Sequence, residues 1–237
     1  MENIRVSFLL ENEDPVDRAE IESLGAVDLC KLQGVRSPGA HRSQTNIPGY
    51  FWMAQTEQHV WYESRLEMMI LKTIDHERDV GAAISQPLLL SFEIDGKKRR
   101  HVPDFLFPLK VGSALLVNVT SKRRVNDERN CRNFEACREV ADRLGWEYVT
   151  RTEPTQVYAV NVKWLNGYKR PPWLLDRYRA ELLRRAEGGL TVAEVLRDLE
   201  PDAFARPALF HLIWARQIGF DSNELLSDET KLWRRLT

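Results

Sequence analysis

Apolar residues recur at helical spacing between Tyr62 and Glu77, where Leu66, Met69, Ile70, Thr73 and Ile74 share one stripe with no glycine or proline inside. The pattern predicts a helix. Pro87–Ile94 then reads as a strand, Asp95-Gly96 as a tight turn and Arg99–Phe107 as the returning strand. Ala114–Thr120 is a short, mostly apolar run of the kind buried in a sheet. Helical spacing returns over Asn126–Leu144, with Cys131, Phe134, Cys137, Val140, Ala141 and Leu144 on one stripe and Gly145 where a C-terminal cap belongs. A strand pair is expected at about 147–151 and 157–162. The block is a mixed α/β core.

Two prolines in Gly167–Pro172 mark a linker. Beyond it the pattern predicts helices over Leu174–Glu187, Thr191–Leu199 and Pro207–Gln217, then wing strands at Ile218–Asp221 and Thr230–Trp233. Thr191 with Glu194 forms a capping-box pattern. A strand is expected at Arg5–Leu10, followed by a short helix, and residues 34–50 read as a loop.

The chain has 237 residues with 34 Lys and Arg against 35 Asp and Glu, a net charge of −1. That balance argues against nucleic-acid binding by bulk charge. Its distribution is uneven. Residues 1–25 hold seven acids and two bases, whereas bases gather in Lys97-Lys98-Arg99-Arg100 and Lys122-Arg123-Arg124. Three cysteines without a CxxC spacing predict neither a disulfide framework nor a zinc finger. No apolar run reaches the roughly 18 residues of a membrane helix, and the N-terminus lacks the pattern of a signal peptide. A reducing cytoplasm is the expected compartment.

Three segments carry candidate chemistry. Glu63 and Glu67 are four apart on one helix face that continues into Ile70 and Ile74. Taken alone, each also fits a solvated helix edge. Asp104 interrupts the apolar run around Val102-Pro103-Phe105, either as a reactive or ion-binding acid or as a turn residue. Asn118, Thr120 and Lys122 alternate along one strand face. If that strand lies beside Asp104, then Glu67, Asp104 and Asn118 converge. Two or three oxygen ligands at a sheet end suit Mg²⁺ or Mn²⁺, ions that promote attack of water on a phosphodiester.

An acid on a helix, a Pro-Asp on a hairpin strand and a following strand are the order of the PD-(D/E)xK nucleases. The chain resembles TnsA-type transposase endonuclease subunits of that superfamily, in an actinobacterial-like version. The matching segments are Ile47-Pro48-Gly49-Tyr50, Tyr62-Glu63-Ser64-Arg65-Leu66-Glu67, Gln86-Pro87, His101-Val102-Pro103-Asp104-Phe105 and Leu116-Val117-Asn118-Val119. Gly145-Trp146, Asn161–Leu165 and His211–Trp214 extend the resemblance over roughly residues 34–235.

The resemblance implies a restriction-endonuclease-like mixed sheet flanked by helices, and a small C-terminal helical, winged-helix-like docking domain. The implied division is an acidic lead-in over 1–33, a nuclease-like domain over 34–168 and the docking domain over 174–237. It further implies a Mg²⁺- or Mn²⁺-dependent DNA endonuclease that nicks transposon ends, with a DDE-type transposase and an AAA+ ATPase regulator as partners. Glu67, Asp104 and Asn118 would be metal ligands, joined by the backbone carbonyl of Val119. Glu67 fits the ligand position better than Glu63.

The chain departs from the pattern at Thr120, where the family carries a catalytic Lys or Arg, and Asn118 removes a charge that many relatives have. Lys122, one strand period further, is the candidate substitute. An alternative reading follows: a catalytically weakened nuclease fold acting in DNA binding and assembly. Lys97, Lys98, Arg99, Arg100, Lys122, Arg123 and Arg124 are the candidate DNA contacts. The apolar helix around His211 favours protein docking over base readout, and the seven Trp read mostly as core and edge packing.

Overall fold

The computed structural model describes residues 2–36 and 47–235. The chain forms two compact units. The first comprises residues 1–71 and 78–153, and the second residues 72–77 and 154–237. The loop expected over residues 34–50 lies mostly outside the described residues.

In the first unit the strands are β1 (Glu2–Leu10), β2 (Val16–Ala19), β3 (Leu32–Gln33), β4 (Gly49–Met53) and β5 (Gln58–Tyr62). Helix α1 (Arg65–Glu77) follows; its residues up to Leu71 belong to the first unit and the rest to the second. Next come β6 (Ile84–Ser85), β7 (Leu88–Ile94), β8 (Lys97–His101), β9 (Phe105–Pro108), β10 (Ala114–Val119), α2 (Glu128–Leu144) and β11 (Glu147–Arg151).

One sheet has the order β2-β1-β7-β8, with β3 paired to β1. A mixed sheet has the order β11-β10-β9-β6, and β4 with β5 forms a separate hairpin. β10 is parallel to β11 and antiparallel to β9. A parallel pair needs a long crossover, which α2 supplies. The core joins Val6, Phe8, Leu88 and Leu90 from the first sheet to Leu106 and Leu116 from the second, with Ala136, Cys137 and Val140 of α2. Alternation explains the first sheet, and burial on both faces explains the unbroken Ala114–Val117 run. Gly145 closes α2 at φ 67°, as its sequence position predicted.

The expected strand over Arg99–Phe107 is two strands in two different sheets. β8 pairs with β7, β9 pairs with β10, and the break falls at Val102-Pro103-Asp104. Pro103 offers no N–H to a ladder, so the chain changes sheets there. α1 starts at Arg65 rather than Tyr62, because Tyr62 is still paired with Gly49 in the preceding hairpin.

The second unit contains α3 (Gln156–Leu165), α4 (Leu175–Ala186), α5 (Val192–Leu196) and α6 (Asp202–Trp214), then the antiparallel strands β12 (Ile218–Phe220) and β13 (Leu232–Arg234). The segment expected as a strand at 157–162 is α3. Thr155 caps it by accepting the Tyr158 N–H, and Val162 and Leu165 are buried one turn apart. Thr191 and Glu194 form the predicted capping box of α5. Trp164, Tyr168 and Phe210 form an aromatic cluster with ring centroids 4.3–5.1 Å apart. Trp173 departs from the packing expected of the tryptophans, being 93% exposed.

Candidate active site

The entry to α1 is set by the hairpin before it. Gly49 lies opposite Tyr62, and a Cβ on Gly49 would stand 2.6 Å from the Tyr62 hydroxyl. The ring therefore fits only over glycine. Tyr50 meets Trp61 edge-on at 5.1 Å on the same hairpin. These contacts bring Ser64 and Glu67 to the first turn of α1. Ser64 Oγ accepts the Glu67 N–H at 3.1 Å and donates to Glu67 Oε1 at 2.8 Å, while Glu67 Oε2 accepts the Glu63 N–H at 2.7 Å. Glu67 thus stabilises a helix start, where a carboxylate is favoured by the free N–H groups.

Asp104 lies in the break between β8 and β9. Its N–H donates to Val117 O at 3.1 Å, and its carbonyl accepts the Gln86 N–H at 2.8 Å. Its Oδ2 accepts the Val119 N–H at 2.6 Å. The backbone on both sides thus holds the carboxylate against the end of β10.

Both carboxylates are held above their ordinary range. Asp104 is half-buried, and desolvation of its carboxyl pushes it up to about 8, opposed by the Val119 N–H and reinforced by the nearby charges of Glu67 and Glu63. Glu67 is raised mainly by burial, against its hydrogen bonds from Glu63 and Ser64. Arg36 offsets only a minor part at Asp104. Two neighbouring acids with so little compensating charge favour a proton or a cation between them.

Among the described residues no group of three or more His, Cys, Asp and Glu converges on a metal position. The acids brought together here are the two carboxylates of Asp104 and Glu67. That set fits a hard divalent ion which keeps most of its waters, and does not fit a fully protein-caged ion.

An open groove of about 700 Å³ is lined by Ser64, Arg65, Glu67, Val119, Thr120, Ser121, Arg124 and Glu153, among others; Glu67 borders it directly, and Asp104 adjoins it through its bond to Val119. Lys122 bonds through its backbone N–H to Glu153 Oε2 at 2.7 Å, and its side chain is exposed. Arg124 is the member of the second basic run that lines the groove. Asn118 is 1% exposed and points its amide elsewhere. Its Oδ1 meets His101 Nε2 at 2.8 Å and its Nδ2 donates to the Tyr148 hydroxyl at 3.0 Å, which in turn lies 2.9 Å from Thr150 Oγ1. Burial lowers His101 and raises Tyr148 to about 12, so both stay neutral near pH 7.

The first basic run divides by strand alternation. Lys98 and Arg100 share one face of β8, whereas Arg99 is paired with buried Phe92 and has its Nε buried without a hydrogen bond. Lys98, Arg99 and Arg100 line a second cavity that shares no residue with the groove. Sequence reasoning missed Ser64, Arg65, Ser121 and Glu153. The Ser64-x-x-Glu67 spacing was a readable signal for the first; Glu153 had none, because it reaches the groove only through the β10–β11 pairing.

Residues 77–153 match the family model described as TnsA-like endonuclease N terminal. The match includes Asp104, Asn118 and Thr120, and begins after Glu67. It supports a TnsA-like nuclease. No curated protein matches the chain. Among the described residues no helix is long and apolar enough to cross a membrane.

Proposed function

We propose, from the TnsA-like endonuclease match over residues 77–153, that the chain is the metal-dependent DNA endonuclease subunit of a heteromeric transposase and nicks DNA at transposon ends. The observation that carries the reading is the Asp104–Glu67 pair, two carboxylates kept together at high proton affinity beside an open groove. Asp104, Glu67 and the Val119 carbonyl would hold the Mg²⁺ or Mn²⁺. When bound, such an ion activates water and offsets the charge that develops on the scissile phosphodiester. The protein orients Asp104 through the Val119 N–H and Glu67 through Ser64, so the acids are set before DNA arrives.

Thr120 and Ser121 line the groove, and Arg124, which also pairs with Asp127 at 3.5 Å, supplies positive charge for phosphate. Asn118 positions the strand from behind, through His101 and Tyr148. Lys97, Lys98, Arg99, Arg100, Lys122 and Arg123 complete the DNA contacts. A DDE-type transposase and an AAA+ ATPase are the partners, the C-terminal unit is their docking domain, and the cytoplasm is the compartment.

The test is strand cleavage of transposon-end DNA with Mg²⁺ or Mn²⁺ and the partner proteins. Asp104→Ala is expected to lose more than the roughly 10–100-fold that outer-shell partners of a metal site control. Unchanged cleavage in a folded Asp104→Ala variant removes the assignment.

A second reading has its own support. Thr120 places no cation at the strand position, and Glu67 is engaged in its helix cap. A catalytically weakened nuclease fold serving DNA binding and assembly would show no cleavage with any partner, and Thr120→Lys would then create activity.

A further inference from the structure

We propose that the outer face of the β2-β1-β7-β8 sheet is a second DNA-contact surface, which grips the phosphodiester backbone through Arg5, Arg18, Lys98 and Arg100. The inference rests on the reading of the chain as a DNA-acting protein, and not on cleavage.

The argument starts from register. Arg5 on β1 is paired with Ser91 on β7, and Ser91 with Arg100 on β8. Paired residues point to the same face, and neighbouring strands lie about 4.8 Å apart. A small hydroxyl residue therefore stands between two guanidinium groups. The next position on this face, about 7 Å along the strands, pairs Glu93 with Lys98. Arg18 enters from β2, on a residue with φ 50°. The result is a concavity of about 640 Å³ whose lining includes Arg5, Arg18, Ser91, Glu93, Lys98 and Arg100.

The opposite face of this sheet is the core, with Val6, Leu90 and Phe92 all buried. The cationic face is thus the one left to solvent. Charge on it is incompletely matched. Arg5 pairs with Glu20, and Glu93 stands opposite Lys98, but Arg18 and Arg100 have no acidic partner among the described residues. Arginines on either side of a hydroxyl suit a phosphate, which takes paired N–H donors from a guanidinium and a further hydrogen bond from Ser91. A sheet face carrying several such positions fits a repeating phosphate backbone and reads no sequence. Arg5 and Arg18 are also the two bases of the otherwise acidic first 25 residues. The fold selects them out of that segment and adds them to β8.

The experiment measures binding of the full-length protein to a short fluorescent duplex, without divalent metal, over a salt series. Arg18→Ala/Arg100→Ala is expected to weaken binding at least about tenfold at low salt and to lower the salt slope by about 2, equally for unrelated duplex sequences. Ser91→Glu, a single change in the floor of the concavity, is expected to weaken binding as well. Lys31→Ala/Lys110→Ala removes the same charge from exposed positions outside the concavity and is expected to cost much less. The inference is overturned if the Arg18/Arg100 variant binds like wild type, if the Lys31/Lys110 pair weakens binding equally, or if single-stranded RNA is preferred over duplex DNA. The two readings fail separately, because this assay contains no divalent metal and reads no cleavage: a wild-type protein that binds duplex through Arg18 and Arg100 yet never cleaves keeps this inference and removes the nuclease reading.

Discussion

The groove beside Asp104 and the outer face of the β1–β7–β8 sheet are both polar surfaces of one unit, and they are built on opposite logic. The two carboxylates at the groove's Val119 end lie where chain elements begin or break: Asp104 in the break before β9, Glu67 in the first turn of α1. There, backbone donors hold each acid in place while partial burial strips it of some of its water. The cations of the sheet face stand on regular strands, with exposure set by alternation. Burial turns the first pair into groups with shifted proton affinity. In the second set the arrangement along the strands is what matters. The comparison teaches that a near-neutral chain can carry both an acid-rich site and a basic surface, because net charge sums over parts that never meet.

The sharpest way to break the comparison is to remove charge from the groove while keeping its hydrogen bonds. Glu67→Gln keeps an amide oxygen to accept the Glu63 N–H, and its NH2 donates to Ser64 Oγ where the carboxylate accepted from it. Cleavage is expected to fall more than the roughly 10–100-fold of an outer-shell change, with little change in the thermal midpoint. A large drop in that midpoint would instead make Glu67 a structural cap alone.

Asp104→Asn tests the burial argument directly. The Asp104 pKa is raised in the folded state to about 8, so between the ordinary carboxylate range and pH 8 the folded state binds more protons than the unfolded one. The metal-free protein therefore loses stability as pH rises through that window, at up to about 1.4 kcal/mol per pH unit. The Asn variant is expected to show a flatter profile and to exceed wild type above pH 8. Parallel urea-denaturation profiles would sink the claim.

The same proton sets metal binding. Below pH 8 a cation must displace it, so Mn²⁺ affinity is expected to rise by as much as about tenfold per pH unit from pH 6 to 8 and then level off. Calorimetry in buffers of different ionisation heat reads the released proton. Affinity independent of pH would remove Asp104 from the ligand set. The smallest effect belongs to a control outside both surfaces. Thr191→Ala breaks the capping box of α5 and is expected to cost about 1 kcal/mol of stability without changing DNA binding or metal affinity.

Much of this was legible beforehand because it follows from local rules. The periodicity of α2, the left-handed Gly145, the Thr191–Glu194 box and the buried Ala114–Val119 strand each depend on residues a few positions apart. Residues 157–162 misled because Val157, Val160 and Val162 favour strands locally, while the Thr155 cap and the buried Val162–Leu165 pair make a helix. The site was partly legible. Asp104 drew notice as an acid in an apolar run. The direction of Asn118, inward to His101 and Tyr148, depends on residues 17 and 30 positions away. Likewise, a four-residue basic run reads as one cluster until strand pairing sends Lys98 and Arg100 to one face and Arg99 to the other.

By itself the sequence determined most of the elements, the Gly145 and Thr191 caps and the residue types available for chemistry, because backbone preference and hydrophobic period act over one or two turns. Only the tertiary structure decided which residues meet. Strand register joined Arg5 to Arg100 across 95 positions, the break at Pro103 turned Asp104 toward Val119, and the packing around that carboxylate set its proton affinity. Those are properties of long-range pairing and of water exclusion, and neither exists until the chain has folded.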